Sequence, residues 1–253
     1  MGTRVHLCGR LALVGDTVVV DERELPGRQA RLALAMLCLE RRRPVSIDRL
    51  TWALWGDALP PDPAGAVASI VSKLRAAFRA VGGHGPDVIA AGGGTYQLRL
   101  PADGTVDLED ARHAIDRAMG ARRAGDTNAA WSFATVAVAI SRRGFMPGES
   151  ADWVHAVQRE VERIARQGCA CLAWVWSERG DGALAIAMAE LAISIDPLDE
   201  SSWRDLMEIH ARFGNRANAV HTFRRWRTLL RDELGVNPDA STVQLLEQLL
   251  RDD

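Results

Sequence analysis

Lysine is almost missing: Lys73 is the only one among 253 residues, and arginine supplies every other basic side chain. An excess of charge is missing as well, with 31 basic and 33 acidic residues and a formal net charge of −2. That balance excludes a chain that binds nucleic acid or membrane as a polyelectrolyte along its whole length. Cysteine is scarce. Cys8 and Cys38 lie in apolar runs, and Cys169 and Cys171 are one residue apart, too tight for the usual zinc or redox pairs. All four read as free, buried thiols in a reducing cytoplasm. Six scattered histidines complete no ligand set, so no metal and no cofactor is expected. No charged segment leading into an apolar one opens the chain, and no apolar run approaches bilayer length. The sequence reads as cytoplasmic, without a membrane partner. Walker, G-x-S-x-G and H-E-x-x-H patterns are missing, and Gly92–Gly94 lacks the Lys-Ser/Thr that completes a phosphate loop. The chain is not expected to be an enzyme.

What is present is a folded composition, 47% hydrophobic and 25% charged, long enough for one large or two ordinary domains. Charge is distributed unevenly: residues 1–104 carry 13 basic against 10 acidic side chains, the rest 18 against 23. A mildly basic front and an acidic back fit one part that meets phosphate and another that meets protein.

Residues 1–21 are short apolar runs broken at Gly9 and Gly15-Asp16, a small antiparallel meander. The period then changes. A wide apolar stripe over 27–42 predicts a buried helix, closed by "RRRP", whose arginines suit the negative end of the helix dipole. Ser46 is placed to cap a short amphipathic helix over 46–55, with Asp48 in its first turn and Trp52 and Trp55 read as core. A third helix spans 63–80 and is stopped by "GGHGP". A hairpin over 87–100 turns at its glycines, and 101–106 is a polar boundary.

From Asp107 the strand signal ends and helices follow one another. "GDGALAIAMAELAISIDP" begins at Gly180 and "GNRANAVHTFRRWRTLL" at Gly214, a spacing of 34, with a fainter copy at Gly125. In each, alanine follows the glycine by five residues: Ala130, Ala185 and Ala219. Small residues at fixed helical positions let paired helices approach closely. The pattern resembles the tetratricopeptide repeat. Trp131, Trp153, Trp174, Trp176, Trp203 and Trp226 read as the aromatics of that repeat core.

The stretches "GRQARLALAMLCLERRRPVSIDRLTWALWGD", "SIVSKLRAAF" and "GGGTYQLRL" resemble the response-regulator type of winged helix. In particular they are similar to the N-terminal domain of the Streptomyces antibiotic regulatory protein family of transcriptional activators. "DLEDARHAIDRAMGARRAGD" and "AVHTFRRWRTLLRDELGVNPDASTVQLLEQLL" are similar to that family's bacterial transcriptional activation domain. The resemblance implies an α+β N-terminal winged helix-turn-helix, with a small antiparallel sheet and a wing hairpin, over residues 1–103. An all-α, tetratricopeptide-like domain would follow over 104–253. The implied function is an activator that binds double-stranded DNA at promoter repeats and recruits RNA polymerase through sigma and alpha subunits, with room for a homodimer. It would be cytoplasmic, on the nucleoid when bound to DNA.

Within the third helix, Val67, Ile70, Val71, Leu74 and Phe78 share one face by 100° steps. The opposite side carries Ser69, Ser72 and Arg79, flanked by Lys73 and Arg75. These five residues, with Arg49, Arg99 and the hairpin tip at Gly93 and Gly94, form the candidate DNA-binding set. Two readings stand side by side. The basic residues form a phosphate clamp, or they are a solvated helix face. Ala64, Gly65, Ala66 and Ala68 offer almost nothing to a base edge, which favours a protein-interaction scaffold that has lost base reading. Arg224, Arg225 and Trp226 form either a partner-binding ridge or a salt-bridged surface.

Overall fold

The computed structural model describes residues 2–82 and 88–251. Part of the expected helix stop "GGHGP" and the first residue of the expected hairpin therefore lie outside the described residues. The chain resolves into two compact units, residues 1–110 with 143–159, and residues 111–142 with 160–253.

The first unit begins with strands β1 (Arg4–His6), β2 (Ala12–Val14) and β3 (Val19–Val20), paired antiparallel as the meander predicts. Helix α1 (Gly27–Leu39) buries almost its whole circumference, Leu32 to Cys38 included. It ends three residues before the expected Arg42, so the arginines lie beyond it. Arg41 instead makes a two-pronged ion pair with Glu109 (2.7 and 2.5 Å), and Arg43 pairs with Glu40. Strand β4 (Val45–Ser46) leads into α2 (Ile47–Trp55), whose N-cap is Ser46, its hydroxyl accepting from Arg49 N at 3.1 Å. Helix α3 (Pro63–Ala80) has the expected bounds. Its cap is Asp62, which accepts from Gly65 N at 3.0 Å.

Strands β5 (Ile89–Gly92) and β6 (Thr95–Leu98) form the hairpin, and β4 extends it to a three-stranded antiparallel sheet. Strand β7 (Thr105–Val106) pairs parallel with β1, so the first sheet is mixed and not purely antiparallel, in the order β3-β2-β1-β7. The stretch read as a polar boundary thus belongs to a sheet whose partner lies about 100 residues earlier. Helix α1 packs on α2, on α3 and on β6, and these elements enclose Leu34, Leu50, Leu74, Phe78 and Ile89. The segment 143–159 completes this unit: Cys8 bridges Phe145, and the Trp153 indole donates to Ala53 O at 3.0 Å. Trp153 is therefore a residue of this unit's core and not of the repeat.

The second unit is helical. It draws on α4 (Asp107–Arg123), α5 (Thr127–Ser141), α6 (Asp152–Glu178), α7 (Gly182–Ile195), α8 (Glu200–Arg212), α9 (Arg216–Leu234) and α10 (Ala240–Arg251). The repeat phase read from the sequence holds in space. Gly125, Gly180 and Gly214 all take left-handed backbone (φ 74°, 78° and 76°) just before α5, α7 and α9. Ala130, Ala185 and Ala219 are all buried on those helices. Close approach is direct at Gly168, where a Cβ would come within 2.6 Å of a Val138 methyl. Trp203 and Trp226 are buried, Trp174 and Trp176 half-buried, but Trp131 is 41% exposed and lies beneath Arg179 (5.7 Å). Its helical position faces outward, so it is a surface aromatic.

All four cysteines are buried. Burial pushes the Cys38 thiol up, and that of Cys169 to about 11, which keeps both protonated and unreactive at neutral pH. No helix among the described residues is long and apolar enough to cross a membrane.

Candidate nucleic-acid interface

Helix α3 is amphipathic as its spacing predicts. Val67, Val71, Leu74 and Phe78 are buried and Ile70 is half-buried. Ser69, Ser72, Lys73 and Arg79 are all exposed. Ala64, Gly65 and Ala68 are exposed as well, so the first two turns offer solvent a small, nearly featureless surface.

Gly65 has a local cause. A Cβ there would lie 2.1 Å from Asp62 Oδ2, so the cap carboxylate folds over the first turn in space that only glycine leaves free. The cap satisfies one exposed N–H at the helix start, which offsets the roughly 1 kcal/mol of helix propensity that glycine costs.

Arg75 differs from its neighbours. Its guanidinium is half-buried and donates twice to Ile89 O, from Nε at 3.1 Å and Nη2 at 2.6 Å. Those bonds tie α3 to β5 and orient the hairpin. Arg75 is a positioning residue, whereas Lys73 and Arg79 point their charges outward. Replacing Arg75 by Ala is expected to lower stability by about 1.5–3 kcal/mol, because a charge-assisted bond is lost and a carbonyl goes unpaired. Lys73→Ala, an exposed change, should stay within about 0.5 kcal/mol of wild type. Urea unfolding followed by far-UV circular dichroism separates the two, and equal midpoints for both variants would remove Arg75's positioning role.

The hairpin tip is Gly93–Gly94, with φ of 56° and 71°. Two consecutive left-handed residues are what a two-residue hairpin turn with the right twist demands. No heavy atom lies within 4 Å of where either Cβ would be, so the tip is open to solvent. It is also anchored: Ile47 N donates to Gly94 O at 3.0 Å, which joins the tip to the start of α2. One turn on, Arg49 is exposed and lies over the Trp52 ring at 5.1 Å. Trp52 is 45% exposed, so the core reading of this residue does not hold; Trp55 is half-buried. The odd one out among the polar candidates is Arg99, which is exposed on the side chain, while its backbone N–H closes on Val88 O.

Hydrogen bonds from two helices thus hold a glycine tip and a basic α3 face in one unit. The candidates Ser69, Ser72, Lys73, Arg79, Arg49, Arg99, Gly93 and Gly94 all remain accessible. In the other unit, Arg224 and Arg225 are exposed, but Trp226 is 1% exposed and belongs to the core. Arg225 pairs with Glu190 (2.9 Å) and lies over Trp203 at 5.1 Å. Among the described residues no cluster of side chains could hold a metal ion.

Residues 106–250 match the bacterial transcriptional activator domain. The chain belongs to that family. Its relatives are transcriptional regulators of the Streptomyces antibiotic regulatory protein type. The chain is similar to the transcriptional regulatory protein EmbR of Mycobacterium tuberculosis, with 29% identity over 227 residues, covering 87% of the chain and 57% of EmbR. It is 28% identical to the regulatory protein AfsR of Streptomyces coelicolor over 225 residues, 89% of the chain and 22% of AfsR. A solved structure of M. tuberculosis EmbR in complex with a low-affinity phosphopeptide matches with a TM-score of 0.89 at 27% identity. That match spans 98% of this chain and 65% of the EmbR chain. The chain therefore spans little more than half the length of EmbR and about a fifth of AfsR.

Proposed function

We propose that this chain binds promoter DNA through a winged helix in its first unit and activates transcription through its helical unit. In this reading α3 enters the major groove, α2 crosses the backbone, and the β5–β6 hairpin is the wing beside the minor groove. The observation that carries it is the exposed face of Ser69, Ser72, Lys73 and Arg79 on α3, with the open Gly93–Gly94 tip anchored to α2. Lys73 and Arg79 would take phosphates, as would Arg49 and Arg99, and Ser69 and Ser72 are the residues left to meet base edges. RNA polymerase, through its sigma and alpha subunits, is the proposed partner of the helical unit, with Arg224 and Arg225 on the contacting ridge. A homodimer on tandem sites fits the same scheme.

A second reading is supported by Ala64, Gly65 and Ala68. With so little hydrogen-bonding capacity at the start of α3, the unit would grip phosphate without choosing sequence and serve as a protein scaffold.

Fluorescence-anisotropy titration on DNA from the protein's own upstream region, against scrambled DNA at two salt concentrations, decides between them. The Lys73→Ala/Arg79→Ala double variant is expected to lose about 10- to 100-fold in affinity and to reduce the salt slope by about two. Equal, weak, salt-sensitive binding to both DNAs by the wild type would leave the scaffold reading standing and remove the activator one.

A further inference from the structure

The helical unit holds a cleft of about 110 Å³ between α4, α6 and α8 that the DNA-binding proposal does not use. Its floor is apolar, made by Ala173, Trp174 and Ile209. Its walls carry both signs of charge: Arg122 and Arg212, Asp205 and Glu208. Arg122 and Asp205 approach only to 4.0 Å, the outer limit of an ion pair, and Arg122 lies over the Trp174 ring at 5.9 Å. The Asp205 carboxylate is mostly removed from water, yet that distant guanidinium is its recorded partner among the described residues. Burial accordingly pushes Asp205 up to about 6, against the opposing pull of Arg122. A carboxylate in such a place costs stability unless something donates to it.

We propose that this cleft binds a small zwitterion, a free aliphatic amino acid. Its ammonium donates to Asp205 and its carboxylate accepts from Arg122. The two charged groups of an amino acid lie side by side on one carbon, which suits an arginine and a carboxylate held apart at 4.0 Å. The side chain covers Ala173, Trp174 and Ile209. The cleft is open to solvent on one side, so the ligand's charged end stays partly wet and only a short aliphatic side chain, such as that of valine, has to cover the apolar floor.

The test is calorimetric titration of the whole chain with L-valine, isobutylamine and isobutyrate. L-valine is expected to bind, with either one-charge analogue at least about tenfold weaker. Asp205→Asn should weaken L-valine by about tenfold or more while leaving DNA affinity unchanged. Binding should also fall as pH drops through about 6, as Asp205 takes up a proton. Arg122 faces it from α4, Arg204 and Glu208 from α8, and Asp199 from just before α8. Should Asp205→Asn fail to fold, Arg122→Gln serves the same purpose. No heat with L-valine, equal affinity for isobutylamine, or undiminished binding by a folded variant each overturns the proposal. Because the readout needs no DNA, its failure is separate from failure of the activator reading.

Discussion

Trp226→Ala is expected to destabilise the helical unit by about 3–5 kcal/mol, the range for removing a large buried aromatic. Trp226 is 1% exposed and stacks on Trp203, with ring centroids 5.5 Å apart at 26°. Ala189, Leu206 and Leu230 belong to the same cluster. Small neighbours such as Ala185 and Ala189 cannot swing in to fill the space, so most of the cavity would persist. The indole also carries a penalty: its Nε1 is buried with no hydrogen-bond partner among the described residues. Trp226→Phe removes that N–H and most of the ring area stays, so its cost should fall to about 1–2 kcal/mol. Urea denaturation of wild type and both variants measures this directly. An unshifted midpoint for Trp226→Ala would mean that the Trp203–Trp226 stack does not hold α8 and α9 together.

In the first unit the corresponding loss is expected from Asp107→Ala, at about 2–4 kcal/mol. Asp107 is 6% exposed, and its two carboxylate oxygens accept from Leu7 N at 2.8 Å and Cys8 N at 3.2 Å, just past the end of β1. Arg143 Nη2 lies 3.5 Å away and balances the charge. Alanine would remove the carboxylate that accepts from these two buried backbone N–H groups. Asp107 also sits in the first turn of α4, where a negative charge meets the positive end of the helix dipole. Asp107→Asn keeps the shape and one acceptor, so roughly half the loss is expected. Hydrogen exchange at Leu7 and Cys8, read by NMR, is the most local measure. Protection equal to wild type in Asp107→Ala would show that the two N–H groups do not depend on this carboxylate.

Much of the molecule was legible in one dimension because its signals are local. Helix α3 was readable to its end residues from the spacing of Val67, Val71, Leu74 and Phe78 and the stop after it. A helix repeats every 3.6 residues, so the chain itself records which side faces the core. The repeat was readable for the same reason: a glycine and, five residues on, a buried alanine recur in one phase at Gly180 and Gly214. Ser46, Asp126 and Asp181 cap helices through bonds only two or three residues long.

What tertiary structure decided is non-local, or depends on the far end of a long side chain. Strand β7 is two residues long, too short to show a period of two, and exists because β1 lies beside it. Among the tryptophans, Trp52 lies on the surface instead of in the core, and Trp153 belongs to the first unit's core instead of the repeat's. An amphipathic α2 has an exposed side that composition alone does not mark, and α6 begins by offering its indole to Ala53 O. Arg75 and Lys73 are two residues apart and alike in charge, yet one is fastened to Ile89 O and the other is free in solvent. Sequence by itself determined most of the helices, their phase and the family of the chain. Which basic residues keep their charge in solvent was settled only by packing, because a guanidinium reaches whatever carbonyl the fold brings within its length.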